Sequence, residues 1–226
     1  MKLITVEQME AATERLLETG RQVGADSWQQ RVKNQTPHCK FGEEGVCCRI
    51  CSMGPCRVTP KAPRGICGCD VHGIVARNYL RFTAGGAATH SDHGRSICHT
   101  LYQTKEGGNY TVKDPEKLKR IAGEWGIATE GKDIYDLAHE VAETALMEYG
   151  KPFGLQRFLS RAPEHTQKLW HDAGIEPRAI DREVSQSLHM THMGCSSLPE
   201  ALIRQSLRAG LCDGWGGSMC GTEFSD

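Results

Sequence analysis

Apolar residues recur at helical intervals over most of the chain. Met9, Ala12, Leu16 and Leu17 form a stripe near the 3.6-residue period, behind Thr5 as a cap and Gln8 in the capping-box position. They predict a helical arm over residues 1–35, its stripe serving either a core or a subunit contact. Residues 71–103 read as one helix, or as two broken near Gly85-Gly86, with Ile74, Val75, Tyr79 and Leu80 on the apolar side. Asp114-Pro115-Glu116 supplies a cap, an N1 proline and an acidic first turn for the next helix, with Leu118, Ile121, Ala122 and Trp125 as its stripe and Gly126 as its stop. Another runs from about Lys132 to Tyr149, with His139 between charged neighbours and read as surface. Residues 152–226 are helical between Pro163, Pro177 and Pro199, with Ser197-x-x-Glu200 as a capping box. Phe224-Ser225-Asp226 reads as the interior of a helix, having no terminating glycine or proline. The fold class expected is mainly α: a helical amino-terminal domain with an irregular cysteine-rich loop over residues 36–70 and helices over 71–226.

That loop interrupts the pattern. Seven of the chain's 11 cysteines lie between Cys39 and Cys69, in C-K-F-G-E-E-G-V-C-C-R-I-C-S-M-G-P-C-R-V-T-P-K-A-P-R-G-I-C-G-C. Close thiols on turn-rich backbone suit an iron–sulfur cluster, which needs several thiolates converging on one small inorganic cube. Gly54-Pro55 and Pro63-Arg64-Gly65 supply the turns. Cys47 and Cys48 are adjacent, and neighbouring side chains on extended backbone point to opposite faces, so one cluster is not expected to take both. Cys48, Cys51, Cys56 and Cys67 make a complete set of four, which leaves Cys39 and Cys47 as a pair. A pair is half of a four-thiolate site, and two copies meeting on a two-fold axis would complete it. Structural zinc prefers two C-x-x-C knuckles or a Cys/His mixture, and stands as the alternative together with disulfides. Lys40, Arg49, Arg57, Lys61 and Arg64 are interleaved with the thiols. Arg49 and Arg57, beside ligand candidates, are the cations expected to favour a reduced, anionic cluster.

Charge and hydropathy narrow the class. Net charge is −1, with no long basic tract, so nucleic acid is not an expected partner. No apolar run approaches 18 residues, so no membrane span is expected. Met1-Lys2-Leu3-Ile4 is followed at once by polar residues, unlike a signal peptide. An odd cysteine count without such a signal points to a reducing compartment, and the cytoplasm is the natural reading.

His90, His93, Ser96 and His99 place a polar residue at every third position. On a helix each step climbs about 4.5 Å, and imidazoles so spaced could pass protons by way of water. The alternative is three unrelated polar histidines. His189 and His192 are at ligand spacing but are read as packing or hydrogen-bonding residues. Cys195, Cys212 and Cys220 bracket a whole helix rather than a loop and are read as buried thiols, with a third cluster as the alternative. Cys98 carries no assignment. Asp213-Gly214-Trp215-Gly216-Gly217 lets backbone approach closely.

Taken together, F-G-E-E-G-V-C-C-R-I-C-S-M-G-P-C-R, A-P-R-G-I-C-G, I-V-A-R-N, A-A-T-H-S-D-H-G-R, H-M-T-H-M-G and D-G-W-G-G-S-M resemble the amino-terminal part of the nickel-containing, anaerobic carbon monoxide dehydrogenases. The resemblance runs from about residue 39 to the last. It implies a [4Fe–4S] cluster shared across the dimer axis through Cys39 and Cys47, and a second held by Cys48, Cys51, Cys56 and Cys67. Cys69 is then surplus, where the family more often has a small apolar residue. It implies oxidation of CO with water to CO2, two protons and two electrons, and a histidine track carrying protons away, in which Ser96 stands where another histidine is usual. It also implies a nickel–iron–sulfur site held by residues beyond this chain. The expected partners are the remaining carboxy-terminal part of the enzyme, a second copy and an electron carrier such as ferredoxin; the presence of an acetyl-CoA synthase partner stays open. Whether the chain is a fragment, an interrupted gene or half of a split subunit stays open. The rival reading is a stand-alone iron–sulfur electron-transfer or assembly protein without catalysis. The hybrid-cluster proteins are a weaker enzymatic alternative, opposed by H-S-D-H-G-R and D-G-W-G-G-S-M.

Overall fold

The computed structural model describes residues 6–107 and 109–225, so the expected cap Thr5 lies outside them. The chain divides into two compact units, residues 1–44 and 45–226. The first holds α1 (Val6–Gln22), α2 (Trp28–Asn34) and the single turn α3 (Lys40–Glu43). Ser27 caps α2, its hydroxyl accepting from the Gln30 amide. Of the expected stripe, Ala12 and Leu17 are half-buried, whereas Met9 and Leu16 are exposed.

The second unit begins with a hairpin, β1 (Cys47–Cys48) paired antiparallel with β2 (Cys56–Arg57). It then enters α4 (Val71–Gln103), whose N-cap Asp70 accepts from the Gly73 amide at 3.0 Å. Helix α4 runs 33 residues without a break. Gly85 and Gly86 stand in open space and weaken it by about 1 kcal/mol each relative to alanine. Tertiary packing along the rest of the helix outweighs that cost, because packing supplies most of a helix's stability in a folded protein. Its buried positions include Gly73, Arg77, Leu80, Ala84, Ala87, Ser91, Gly94, Cys98 and Leu101. These alternate steps of three and four, the spacing of a seam that stays against one set of neighbours. Val75 and Tyr79, expected on the apolar side, are instead exposed.

Helices α5 (Pro115–Glu124), α6 (Ile134–Gly150), α7 (Glu164–Asp172), α8 (Ile180–Thr191), α9 (Pro199–Cys212) and α10 (Met219–Glu223) follow. Asp114 caps α5 through the Lys117 amide, and Gly126 beyond its end takes φ 74°, as the sequence predicts. Against expectation, the capping box at Ser197 does not form. Leu198 is the N-cap and makes no side-chain cap bond, while Pro199 presets the first-turn φ. Nor does the helical interior expected at Phe224 exist: α10 stops at Glu223, and Phe224 turns into the core. There it lies 5.9 Å from Trp125 and 6.0 Å from Phe158, ring centre to ring centre. His139 is also corrected. It is half-buried, stacked 3.8 Å from Tyr102 with its Nδ1 3.3 Å from the Tyr102 carbonyl oxygen.

Helices α8 and α9 are joined by a buried carboxylate. Glu183, fully buried, accepts from Arg178 and, at 2.9 Å, from the Gln205 amide nitrogen of α9. A buried charge persists only when paired and hydrogen-bonded in this way. Between α9 and α10 a wide π-type turn, Asp213–Ser218, presses its backbone onto α4. A Cβ on Gly217 would lie 2.8 Å from the His90 carbonyl carbon. One on Gly94 would collide with the Gly217 carbonyl oxygen and sit 2.8 Å from the Tyr149 hydroxyl. Among the described residues, no helix is long and apolar enough to cross a membrane.

Two glycines of one helix are therefore expected to respond oppositely. Gly94→Ala should lose about 3 kcal/mol, the upper end of ordinary overpacking, or fail to fold. Gly85→Ala should gain about 0.5–1 kcal/mol from reduced backbone entropy. Anaerobic denaturant unfolding measures both, and a Gly94→Ala protein of unchanged stability would contradict the close backbone crossing.

Candidate metal centre

Four of the expected ligands line one cleft. Cys48 and Cys56 face each other across the hairpin register, Cys51 sits in the loop between them, and Cys67 comes from the next turn. Gly65 and Gly68 form that turn. The Gly68 amide donates to the Gly65 carbonyl and the Gly65 amide to the Cys69 carbonyl, both at 2.8 Å, with Gly68 at φ 87°. Ile50, Met53, Ile66, Ile74 and Met193 line the walls with apolar surface. The glycines keep the backbone tight. A Cβ on Gly54 would lie 3.2 Å from the Cys48 carbonyl oxygen and from the Cys56 amide nitrogen. One on Gly65 would lie 3.5 Å from the Cys56 sulfur.

The cleft also supplies hydrogen-bond donors to sulfur. The Ile66 amide donates to Cys56 Sγ at 3.4 Å, and Arg77 Nη1 donates to Cys67 Sγ at 3.5 Å. Burial opposes ionisation of Cys67, but the amides of Cys69 and Gly194 and the Arg77 guanidinium outweigh it and hold the thiol below its ordinary range. Burial pushes the Cys48 thiol up, against the Ile50 amide and the charge of Arg77. Among the described residues, no three His, Cys, Asp or Glu side chains converge as the ligands of a single ion would. Four thiols lining one cleft, with amide and guanidinium donors to sulfur, are the donor set that a [4Fe–4S] cube takes at its four irons.

The other expected residues lie elsewhere. Cys47 is half-buried on β1, its register partner Arg57. Cys47, Cys51, Arg49 and Arg57 line a second, open hollow on the hairpin. Cys39 belongs to the first unit, exposed at the start of α3. Arg49 and Arg57, expected as the cations of the site, are exposed. Arg77, which sequence reasoning passed over, is 2% exposed and reaches the sulfur. The signal was present: Arg77 stands midway between Ile74 and Leu80, a cation inside an apolar stripe. Cys69 makes no claim as a ligand here but is 1% exposed, lines the cleft and is pushed up by burial.

His90, His93 and His99 are exposed along α4, as is Ser96. His90 Nδ1 lies 2.7 Å from Asp213 Oδ1, which also accepts from the Ser218 hydroxyl at 3.1 Å. Among the described residues no hydrogen bond joins one of these histidines to another. The His93 ring lies 3.7 Å from where a Cβ on Gly221 would stand. His189 and His192 are exposed rather than packed. Cys98, Cys212 and Cys220 are buried, and burial raises the Cys212 thiol. Cys195, expected buried with them, is exposed in the turn after α8, so these thiols do not gather into one site.

Residues 46–226 match the Prismane/CO dehydrogenase family. Carbon monoxide dehydrogenase 1 of Methanosarcina mazei is 44% identical over 223 residues, covering 96% of this chain and 36% of that protein. The nickel-free crystal structure of carbon monoxide dehydrogenase from Thermococcus sp. AM4 is 44% identical and superposes with TM-score 0.86, over 94% of this chain and 34% of that one. A structure of acetyl-CoA synthase/carbon monoxide dehydrogenase, described with NiZn[Fe4S4] and NiNi[Fe4S4] clusters, is 35% identical with TM-score 0.84, over 94% and 32%. The chain thus spans about a third of the length of these relatives, and the likeness read from its motifs is borne out. On sequence and on fold alike, the chain belongs to the Prismane/CO dehydrogenase family.

Proposed function

We propose that this chain is the electron-conducting arm of a carbon monoxide dehydrogenase, which turns CO and water into CO2, two protons and two electrons. The observation that carries the reading is the cleft in which four cysteines meet amide and guanidinium donors, within a chain of this family. Cys48, Cys51, Cys56 and Cys67 would hold a [4Fe–4S] cluster, and Cys39 and Cys47 of two copies would hold another between subunits. Bound there, such clusters supply one-electron transfer. The chain's own thiolates would bind the iron corners, with the buried Ile74 as apolar lining and Cys47 at the hairpin's open side. The nickel–iron–sulfur site would come from the carboxy-terminal part of the enzyme, ferredoxin or a similar carrier would take the electrons, and acetyl-CoA synthase is a further partner. The odd count of 11 cysteines favours a reducing cytoplasm. His90, His93 and His99 would form the proton route, with water or Ser96 bridging the step between His93 and His99.

Cluster content and dimerisation test the partition. With six ligands per chain, a dimer should carry about twelve irons from this region, by the four-thiolate rule. Cys51→Ser should lose about four irons per chain and stay dimeric. Cys47→Ser should lose the shared four and weaken the dimer in anaerobic sizing. Zinc in place of iron, or equal dissociation in both variants, counts against the assignment.

The histidines are tested in the complete enzyme. His93→Ala should slow CO oxidation while cluster spectra stay normal and the solvent isotope effect grows. General acid–base groups contribute typically about 10²–10⁴-fold, and water substitution puts this loss at or below the low end. Unchanged turnover across neutral pH would show that the ladder is not the route.

A further inference from the structure

Arg77 spans two segments that the sequence keeps far apart. It projects from the first turns of α4, and its Nε donates to the Ser196 carbonyl at 2.7 Å while Nη2 donates to the same oxygen. Its Nη1 donates to Cys67 Sγ. Ser196 lies in the turn after α8, whose Met193 walls the cleft. The α4 backbone is pinned at the same place, since a Cβ on Gly73 would lie 2.9 Å from the Ser197 carbonyl oxygen. The guanidinium therefore has no freedom to swing into water.

We propose that Arg77 tunes the group held by Cys48, Cys51, Cys56 and Cys67, its fixed charge and N–H···S bond raising the reduction potential; the inference rests on the cluster reading above. One-electron reduction adds a negative charge with no bond made or broken. A neighbouring cation stabilises the reduced form, and a hydrogen bond to a ligand sulfur acts in the same direction. Burial decides which cation matters. Arg49 and Arg57 are exposed and screened by solvent and salt, whereas Arg77 is buried beside the sulfur. Lysine would keep the charge but not the fork that reaches Ser196 and Cys67 together.

The test is a redox titration of the anaerobic, cluster-loaded protein followed by electron paramagnetic resonance, with iron and sulfide counted in each variant. Arg77→Gln should lower the equilibrium constant for one-electron reduction about tenfold, or about 59 mV more negative. Arg77→Lys should fall between it and the parent. Full iron content with the parent's potential in Arg77→Gln overturns the proposal. Should Arg77→Gln fail to retain iron, the parent protein labelled with 15N-arginine decides. A nitrogen hyperfine coupling to the reduced cluster supports the direct contact, and its absence overturns it. A parent protein without any iron–sulfur signal would instead overturn the cluster reading itself.

Discussion

The close approach of other backbone to α4 is the constraint on which the second unit depends. The helix rises about 1.5 Å per residue, so its 33 residues span about 50 Å. Helices α6, α8, α9 and α10 and the π-type turn all pack on it. They can do so only because the seam offers Gly73, Ala84, Ala87, Ser91 and Gly94 instead of bulky residues. Where the turn crosses, glycine meets glycine, Gly94 against Gly217. Small residues permit dense packing at little side-chain entropy cost, and an added methyl there has no cavity to enter.

That same helix organises the chemistry. Its capped N-terminus abuts the hairpin and holds Arg77 against Cys67, while its C-terminal half carries His90, His93 and His99. Electron-side and proton-side candidates therefore sit on one rigid rod, and separation between them is set by helix geometry rather than by loops. The hairpin itself has little core of its own. Cys48, Cys69 and Ile74 form its small buried cluster, with Ile50, Cys56 and Val58 packed on it.

Much of this was legible in the sequence because its signals are local. The Asp114-Pro115 start and Gly126 stop of α5 are turn chemistry, and the Cys48 to Cys67 set is spacing. The failures have physical reasons. The seam of α4 was missed because its glycines, alanines and serine lack the bulk that marks an apolar stripe, so Val75 and Tyr79 drew attention instead. Arg49 and Arg57 stand beside Cys48 and Cys56 in sequence but are exposed, whereas Arg77 is buried and reaches the Cys67 sulfur. The bonds from Arg77 to Ser196 span 119 residues, and no local pattern encodes them. At Ser197 a capping motif lost to the proline two residues on, and Cys195 followed the loop outward while Cys212 and Cys220 stayed on helices facing the core.

The central claim is that the cleft between the hairpin and α4 holds an iron–sulfur cube. Anomalous diffraction from anaerobically grown crystals, recorded at the iron and zinc edges, tests it without relying on activity. The account predicts iron density bounded by the sulfurs of Cys48, Cys51, Cys56 and Cys67, with no zinc signal in that cleft. A single zinc there, or iron bound away from these four sulfurs, would contradict it.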